Sequence, residues 1–198
     1  MGSDQVRNIK VVLVGDIYVG KTSLANVFVS NYFREKYVSS VGAHFTAKTL
    51  EKPRVTLQIW DTAGMERFRC LLPHFMRGAE CAFIVYDVSN RDTFSSVCDY
   101  WVDYVEAAST RPLTKVLVAN KSDSLVKSVK EYEGRRFAES HNMLFFETSA
   151  KFSINVDKLF TDAATAVIET TPEPVENPDN GVKLETSGQK KSKCCLSS

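Results

Sequence analysis

Residues 15–22 read GDIYVGKT, the pattern G-x-x-x-x-G-K-[ST], and they follow an apolar run, Ile9-Lys10-Val11-Val12-Leu13-Val14. The run predicts a strand, and Ser23-Leu24-Ala25-Asn26-Val27-Phe28 predicts a helix behind the loop. Strand, glycine-bearing loop and helix together form a cradle in which backbone N–H groups and a helix N-terminus face one anion. Gly15 and Gly20 let the backbone wrap closely enough for those N–H groups to meet phosphate oxygens. Lys21 can reach the outer phosphates, and the Thr22 hydroxyl is placed to hold a magnesium ion. The chain is therefore read as binding a nucleoside triphosphate.

The base is read further along. Asn120-Lys121-Ser122-Asp123 follows a second apolar run, Val116-Leu117-Val118-Ala119. A carboxylate at Asp123 can accept from both the N1–H and the exocyclic amine of guanine. Adenine offers no such pair and would leave the carboxylate unmatched. Glu147-Thr148-Ser149-Ala150-Lys151 follows a third apolar segment, Met143-Leu144-Phe145-Phe146, and Asp61-Thr62-Ala63-Gly64 follows the strand Val55 to Trp60. Motifs at the carboxyl ends of parallel strands converge on one crevice.

With these motifs in this order the chain resembles a small GTPase of the Ras superfamily, and within it a Rab. Rab-like stretches are LQIWDTAGMERFR (57–69), RGAECAFIVYDVSN (77–90) and the paired cysteines near the end. The likeness covers about residues 7–168 and the end of the tail. It implies a P-loop small-GTPase fold of the α/β class: a mostly parallel six-stranded sheet with one antiparallel edge strand and helices on both faces. It implies GTP/GDP as ligand with Mg2+. Gly15 and the backbone from Ile17, Tyr18, Val19 and Gly20 through Lys21, Thr22 and Ser23 would cradle the phosphates. Thr22 and Ser40 would ligate magnesium, and Asp61 would act through a bound water. Phe33 would cover the guanine face, Asn120, Lys121 and Asp123 would hold the base, and the Ala150 backbone would meet the guanine oxygen, with Ser149 and Lys151 beside it. The Gly64 N–H would sense the γ-phosphate, and its release after hydrolysis would free the second switch.

Local periodicity agrees with an α/β reading. Val55, Leu57 and Ile59 alternate with polar partners and follow a turn at Lys52-Pro53, which predicts a hairpin with a Phe45–Leu50 strand. Phe94, Val97, Cys98, Trp101 and Val105 recur at helical spacing, so Trp101 reads as a core residue and not a ligand platform. Val156, Leu159, Phe160, Ala163 and Val167 mark a last amphipathic helix. With 198 residues, 43% of them hydrophobic, there is room for one such domain and a tail.

A net charge of +1 gives no sign of a nucleic-acid binder, and no run of about eighteen apolar residues predicts a membrane span. Cys70, Cys81, Cys98, Cys194 and Cys195 fit neither a zinc site nor a disulfide framework, which suggests a reducing cytosol. Cys81 and Cys98 read as core filler. His44, His74 and His141 lack any metal-ligand spacing. Val6 stands where myristoylation needs Ser or Thr.

Three regions are expected: residues 1–6 as a flexible N-terminus, 7–168 as the nucleotide-binding domain, and 169–198 as a disordered tail rich in Pro, Glu, Asn and Gly. The tail ends Lys190-Lys191-Ser192-Lys193-Cys194-Cys195-Leu196-Ser197-Ser198. Its last four residues fit C-a-a-X, with Cys194 a second lipid acceptor beside Cys195. Two lipid chains, or one with a basic patch, anchor firmly where one alone does not. The resemblance implies geranylgeranyl on both cysteines; the bare motif suggests farnesyl with palmitate. The resemblance also implies a prenylation escort, a GDP-dissociation inhibitor, an exchange factor, a GTPase-activating protein and effectors, and a place on the cytoplasmic face of an endomembrane.

Several positions depart from the family pattern. Met65 stands where the family's water-orienting glutamine is, and a thioether cannot donate a hydrogen bond and accepts only weakly. Ile17 would crowd the entrance an activating arginine uses. Tyr18 demands a loop comfortable without glycine there. Ser40 replaces the first switch's threonine, and His44 replaces an acidic residue that bears on effector choice. Nucleotide binding is therefore expected to be intact and hydrolysis slow. The readings left open are a slow GTP/GDP switch of vesicle traffic, a GTP-bound scaffold with no significant turnover, and an unrelated P-loop kinase, against which NKSD and ETSAK argue.

Overall fold

The computed structural model describes residues 6–34, 43–62 and 71–170. Of the residues singled out above, Ser40, Ala63, Gly64, Met65, Cys70 and the tail from 171 on, with Cys194 and Cys195, lie outside them. The chain runs β1 (Arg7–Val14), α1 (Lys21–Ser30), β2 (Ala43–Leu50), β3 (Val55–Thr62), α2 (Leu72–Met76), β4 (Cys81–Asp87) and α3 (Arg91–Ser96). A π-helical turn, Val97–Trp101, joins α3 to α4 (Val102–Ala108). Then follow β5 (Thr114–Asn120), α5 (Glu131–Ser140), β6 (Leu144–Glu147) and α6 (Val156–Thr170). The strands form one sheet in the order β2-β3-β1-β4-β5-β6. Among the described strands only the β2–β3 pair is antiparallel; β1–β3, β1–β4, β4–β5 and β5–β6 are parallel. The α/β fold expected from the sequence is the observed one.

Alternation along the central strands divides the core in two. Ile9, Val11 and Leu13 of β1 and Cys81, Phe83 and Val85 of β4 face a cluster built with Leu24 and Phe28 of α1 and Leu159, Phe160 and Val167 of α6. Val12 and Val14, with Ala82, Ile84 and Tyr86, face the other way onto Met76, Phe94, Trp101, Val105 and Ala138. Period-2 side chains buried on both faces are what a parallel sheet covered by helices requires. Phe28 stacks on Phe160 with ring centroids 3.9 Å apart, tying α1 to α6. β3 alternates as read: Val55, Leu57 and Ile59 are buried while Thr56, Gln58 and Trp60 are half-buried. Cys81 is fully buried, but Cys98 is only half-buried at the edge of the second cluster, so it fills the core less than its spacing suggested.

The topology positions the site. β1 lies between β3 and β4, so the chain leaves the sheet in opposite senses on its two sides. A crevice opens at such a reversal, beyond the carboxyl ends of the strands. The residues following β1, β5 and β6 meet there, beside Asp61 and Thr62 at the end of β3.

Gly134, inside α5, sets a packing limit. A Cβ there would overlap the buried Tyr86 hydroxyl and lie 2.7 Å from the Phe145 ring. Alanine normally gains about 1 kcal/mol over glycine in a helix, but overpacking costs about 1–3 kcal/mol. Gly134→Ala is expected to lower the thermal midpoint by about 3–6 °C, read by circular dichroism; a raised midpoint would contradict this packing.

Candidate functional site

The loop between β1 and α1, expected to cradle phosphate, is fixed by what it touches. At Gly15 (φ 134) an added Cβ would overlap the Val85 carbonyl oxygen of β4, and at Gly20 (φ 98) it would overlap the Asn120 side-chain amide. Glycine is needed at both for close approach as well as for backbone conformation. Tyr18 has φ 67, so the loop keeps the left-handed turn that glycine would adopt freely. The sequence reading asked for a backbone comfortable without glycine; Tyr18 instead sits in a glycine-favoured conformation. The conformation costs about 1–2 kcal/mol, and the Tyr18 ring stands exposed at the mouth of the site. Ile17 beside it is half-buried.

Lys21 opens α1 and is buried. Its Nζ donates to the carbonyl oxygens of Gly15 (2.9 Å) and Asp16 (2.7 Å). Burial pushes its pKa down to about 8, opposed by the negative charges of Asp61 and Asp16. A buried cation held by loop carbonyls is poised to take an anion. Thr22 Oγ1 donates to Asp61 Oδ2 at 2.6 Å. A hydroxyl and a carboxylate beside a phosphate cradle are oxygen donors that suit magnesium, so the residues fit the ion. Among the described residues no group of three His, Cys, Asp or Glu forms a separate metal site.

The base side is organised around one amide. Asn120, buried at the end of β5, donates from Nδ2 to the Val19 carbonyl at 2.8 Å. Its Oδ1 accepts from the Thr148 hydroxyl (3.2 Å) and the Ala150 N–H (3.3 Å). One side chain thus ties the loop after β1 to the loop after β6. Ser149 Oγ donates to Asp123 Oδ1 at 2.6 Å, which orients the carboxylate expected to read guanine. Lys121, at φ 62, sends its Nζ to Asp87 Oδ2 at 2.6 Å. Lys151 lies over the Phe152 ring at 5.5 Å.

The structure therefore joins Gly15, Val19, Gly20, Lys21, Thr22, Asp61, Asn120, Lys121, Asp123, Ser149 and Ala150 through hydrogen bonds or close approach. Ser23 follows in the first turn of α1. Phe33 is partly buried against the first core cluster. Sequence reasoning missed Asp16, Asp87 and Thr148. Asp87 receives Lys121, and Thr148, quoted within ETSAK but given no role there, donates to Asn120; both complete the network. It also missed the polar end of Trp101, whose Nε1 donates to Asp16 Oδ1 at 2.8 Å; a buried indole N–H needs an acceptor, and that was the available signal. A further surface lies near the site: Phe45, 49% exposed, sits 5.3 Å from Trp60, which sits 6.0 Å from Phe75 of α2.

Residues 10–169 match the model of the Ras family. The chain is 38% identical over 195 residues to the GTP-binding protein ypt1 of Schizosaccharomyces pombe, covering 94% of this chain and 96% of that protein. It is 39% identical over 173 residues to the Ras-related protein Rab-18-B of Danio rerio, covering 86% and 84%. It is 38% identical over 199 residues to the Ras-related protein RABC1 of Arabidopsis thaliana, covering 95% and 93%.

The lowered pKa of Lys21 has a measurable consequence. In the folded chain it titrates near 8, below its ordinary 10.5, so between those values the unfolded chain holds more protons and stability rises with pH. Phosphate oxygens against the ammonium would raise that pKa again. Nucleotide binding at a pH of about 8.5 is expected to take up roughly half a proton or more. Calorimetry in buffers of different ionisation enthalpy reads this directly, and no uptake would contradict it.

Proposed function

The chain belongs to the Ras family of small GTPases and is Rab-like, and from that premise we propose that it is a membrane-anchored GTP/GDP switch. In this reading it recruits effectors in intracellular vesicle traffic and hydrolyses GTP slowly. The observation that carries the reading is the Asn120 amide, which holds the phosphate loop and the base-reading loop in one arrangement. A site so connected recognises base and phosphates as one ligand.

In the proposed complex the Gly15–Thr22 backbone binds the phosphates and Lys21 exchanges its loop carbonyls for β- and γ-phosphate oxygens. Asp123, oriented by Ser149, accepts from guanine, and the Ala150 N–H meets the guanine oxygen. Thr22 and Ser40 would hold magnesium, with Asp61 acting through a bound water, and the ion would neutralise charge on the phosphates. The Gly64 N–H reports the γ-phosphate. Met65 offers the attacking water no directed hydrogen bond, and Ile17 narrows the approach to the γ-phosphate, so turnover is slow. Phe45, Trp60 and Phe75 offer an aromatic face joining the strand that follows residues 35–42 to the helix that follows residues 63–70. We assign effector docking to it, because exposed aromatic clusters are favoured anchors for protein partners. Cys194 and Cys195 carry lipid, with exchange factor, activating protein, escort and GDP-dissociation inhibitor as further partners.

Single-turnover hydrolysis of preloaded GTP with saturating magnesium tests the switch. The natural chain is expected to convert GTP at about 10⁻⁴ s⁻¹ or more slowly, with Met65→Gln and Ile17→Gly faster. No conversion by the natural chain within a day would leave a GTP-bound scaffold in place of a switch. The base assignment has its own test: Asp123→Asn is expected to weaken GTP and to favour xanthosine triphosphate in competition binding, and an unchanged preference would overturn it.

A further inference from the structure

We propose that Trp101 is a positioning residue for the phosphate loop, acting through the side chain of Asp16. The inference rests on residues 15–22 being the phosphate cradle described above. The Trp101 indole Nε1 donates to Asp16 Oδ1 at 2.8 Å, joining residues 85 positions apart. Trp101 is 2% exposed, so the bond is made at the edge of the core, where a hydrogen bond to a carboxylate is stronger than in water.

The helix is built to deliver this ring. Trp101 ends the π-helical turn Val97–Trp101, across which the Val102 N–H reaches the Val97 carbonyl, one residue further than in an α-helix. Such single-turn bulges are rare and tend to occur where a side chain must be aimed. Here the turn lies between two α-helical pieces that bury Phe94 on one side and Val102 and Val105 on the other. The ring is held from behind by Tyr100, edge-on at 5.1 Å, and Tyr100 stacks on Tyr104 at 5.0 Å. Two tyrosine rings thus back the ring that carries the N–H donor.

Asp16 is where holding matters. Its carboxylate takes the indole and its carbonyl takes the Lys21 ammonium at 2.7 Å. It follows Gly15 at φ 134 and lies two residues before Tyr18 at φ 67. A loop with a left-handed non-glycine residue tends to relax unless its surroundings fix it. Trp101 fixes it from the helix side, keeping the Asp16 carbonyl and the loop N–H groups arranged for phosphate. Loss of the N–H would let the loop loosen around its ligand and speed nucleotide release.

Release of a bound fluorescent GDP analogue from full-length protein tests this. Trp101→Phe keeps an aromatic ring and removes the donor; release is expected to become about tenfold faster, the size expected for a lost hydrogen bond to a charged group. A purely structural loss of ring volume would act whether or not Asp16 is present. In an Asp16→Ala background Trp101→Phe is therefore expected to change release by less than twofold. Unchanged release in the parent background, or equal acceleration in both, would overturn the proposal. Should Trp101→Phe fail to fold, the indole N–H resonance decides: the chain has 2 tryptophans, and the Trp101 signal is expected to move upfield on Asp16→Ala. No movement would equally overturn it. A parent chain that retains no guanine nucleotide would instead overturn the function proposed above, a failure visible before any variant is compared.

Discussion

The Asn120 side chain ties the loop after β1 to the loop after β6. Its amide N–H bonds the Val19 carbonyl, and its oxygen takes the Thr148 hydroxyl and the Ala150 N–H. All of this happens at the end of a strand that is buried on both faces, where an unpaired donor or acceptor costs more than the bond itself contributes. The group therefore holds one arrangement. Gly20 must be glycine because this amide occupies the space its Cβ would need. The loop 15–20, the helix that begins at Lys21 and the loops after β5 and β6 are thus held in one relative arrangement.

The sheet makes that convergence possible. β1 sits between β3 and β4, and its alternating side chains fill two separate cores. The loops after β1, β5 and β6 and the end of β3 consequently meet at one end. Preorganisation has a local cost, concentrated in the phosphate loop: a tyrosine in the left-handed region, a buried ammonium with its pKa pushed down to about 8, and a glycine pressed against the β4 backbone. Strain of this kind persists only where neighbouring contacts over-determine the conformation. Asn120 does this from the base side and Trp101 from the helix side.

Much of this could be read from the chain itself. The run Ile9–Val14 followed by GDIYVGKT announces strand, loop and helix, and NKSD and ETSAK follow their strands as expected. The hairpin of β2 and β3 was legible from the alternation of Val55, Leu57 and Ile59, although β2 begins at Ala43, two residues earlier than Phe45. The second layer of the site was not legible. Asp16, Asp87 and Thr148 act through bonds between residues far apart in sequence, and no short pattern encodes such a bond. Trp101 lies on an apolar stripe, and periodicity reports the ring while saying nothing of its N–H. Tyr18 was expected to sit in a loop comfortable without glycine; its φ of 67 lies in the glycine-favoured region, and the loop bears that strain.

The central claim is that this prebuilt crevice selects a guanine nucleotide. The most direct measurement is displacement of a bound fluorescent guanine nucleotide, with magnesium present, by unlabelled GTP, GDP, ATP and ADP in turn. The account predicts displacement by the guanine nucleotides and none by a thousandfold excess of the adenine ones, since an adenine would leave the Asp123 carboxylate unmatched. Equal displacement by ATP would show that the phosphate loop alone governs binding, and would contradict the assignment of Asn120, Asp123 and Ala150 to the base.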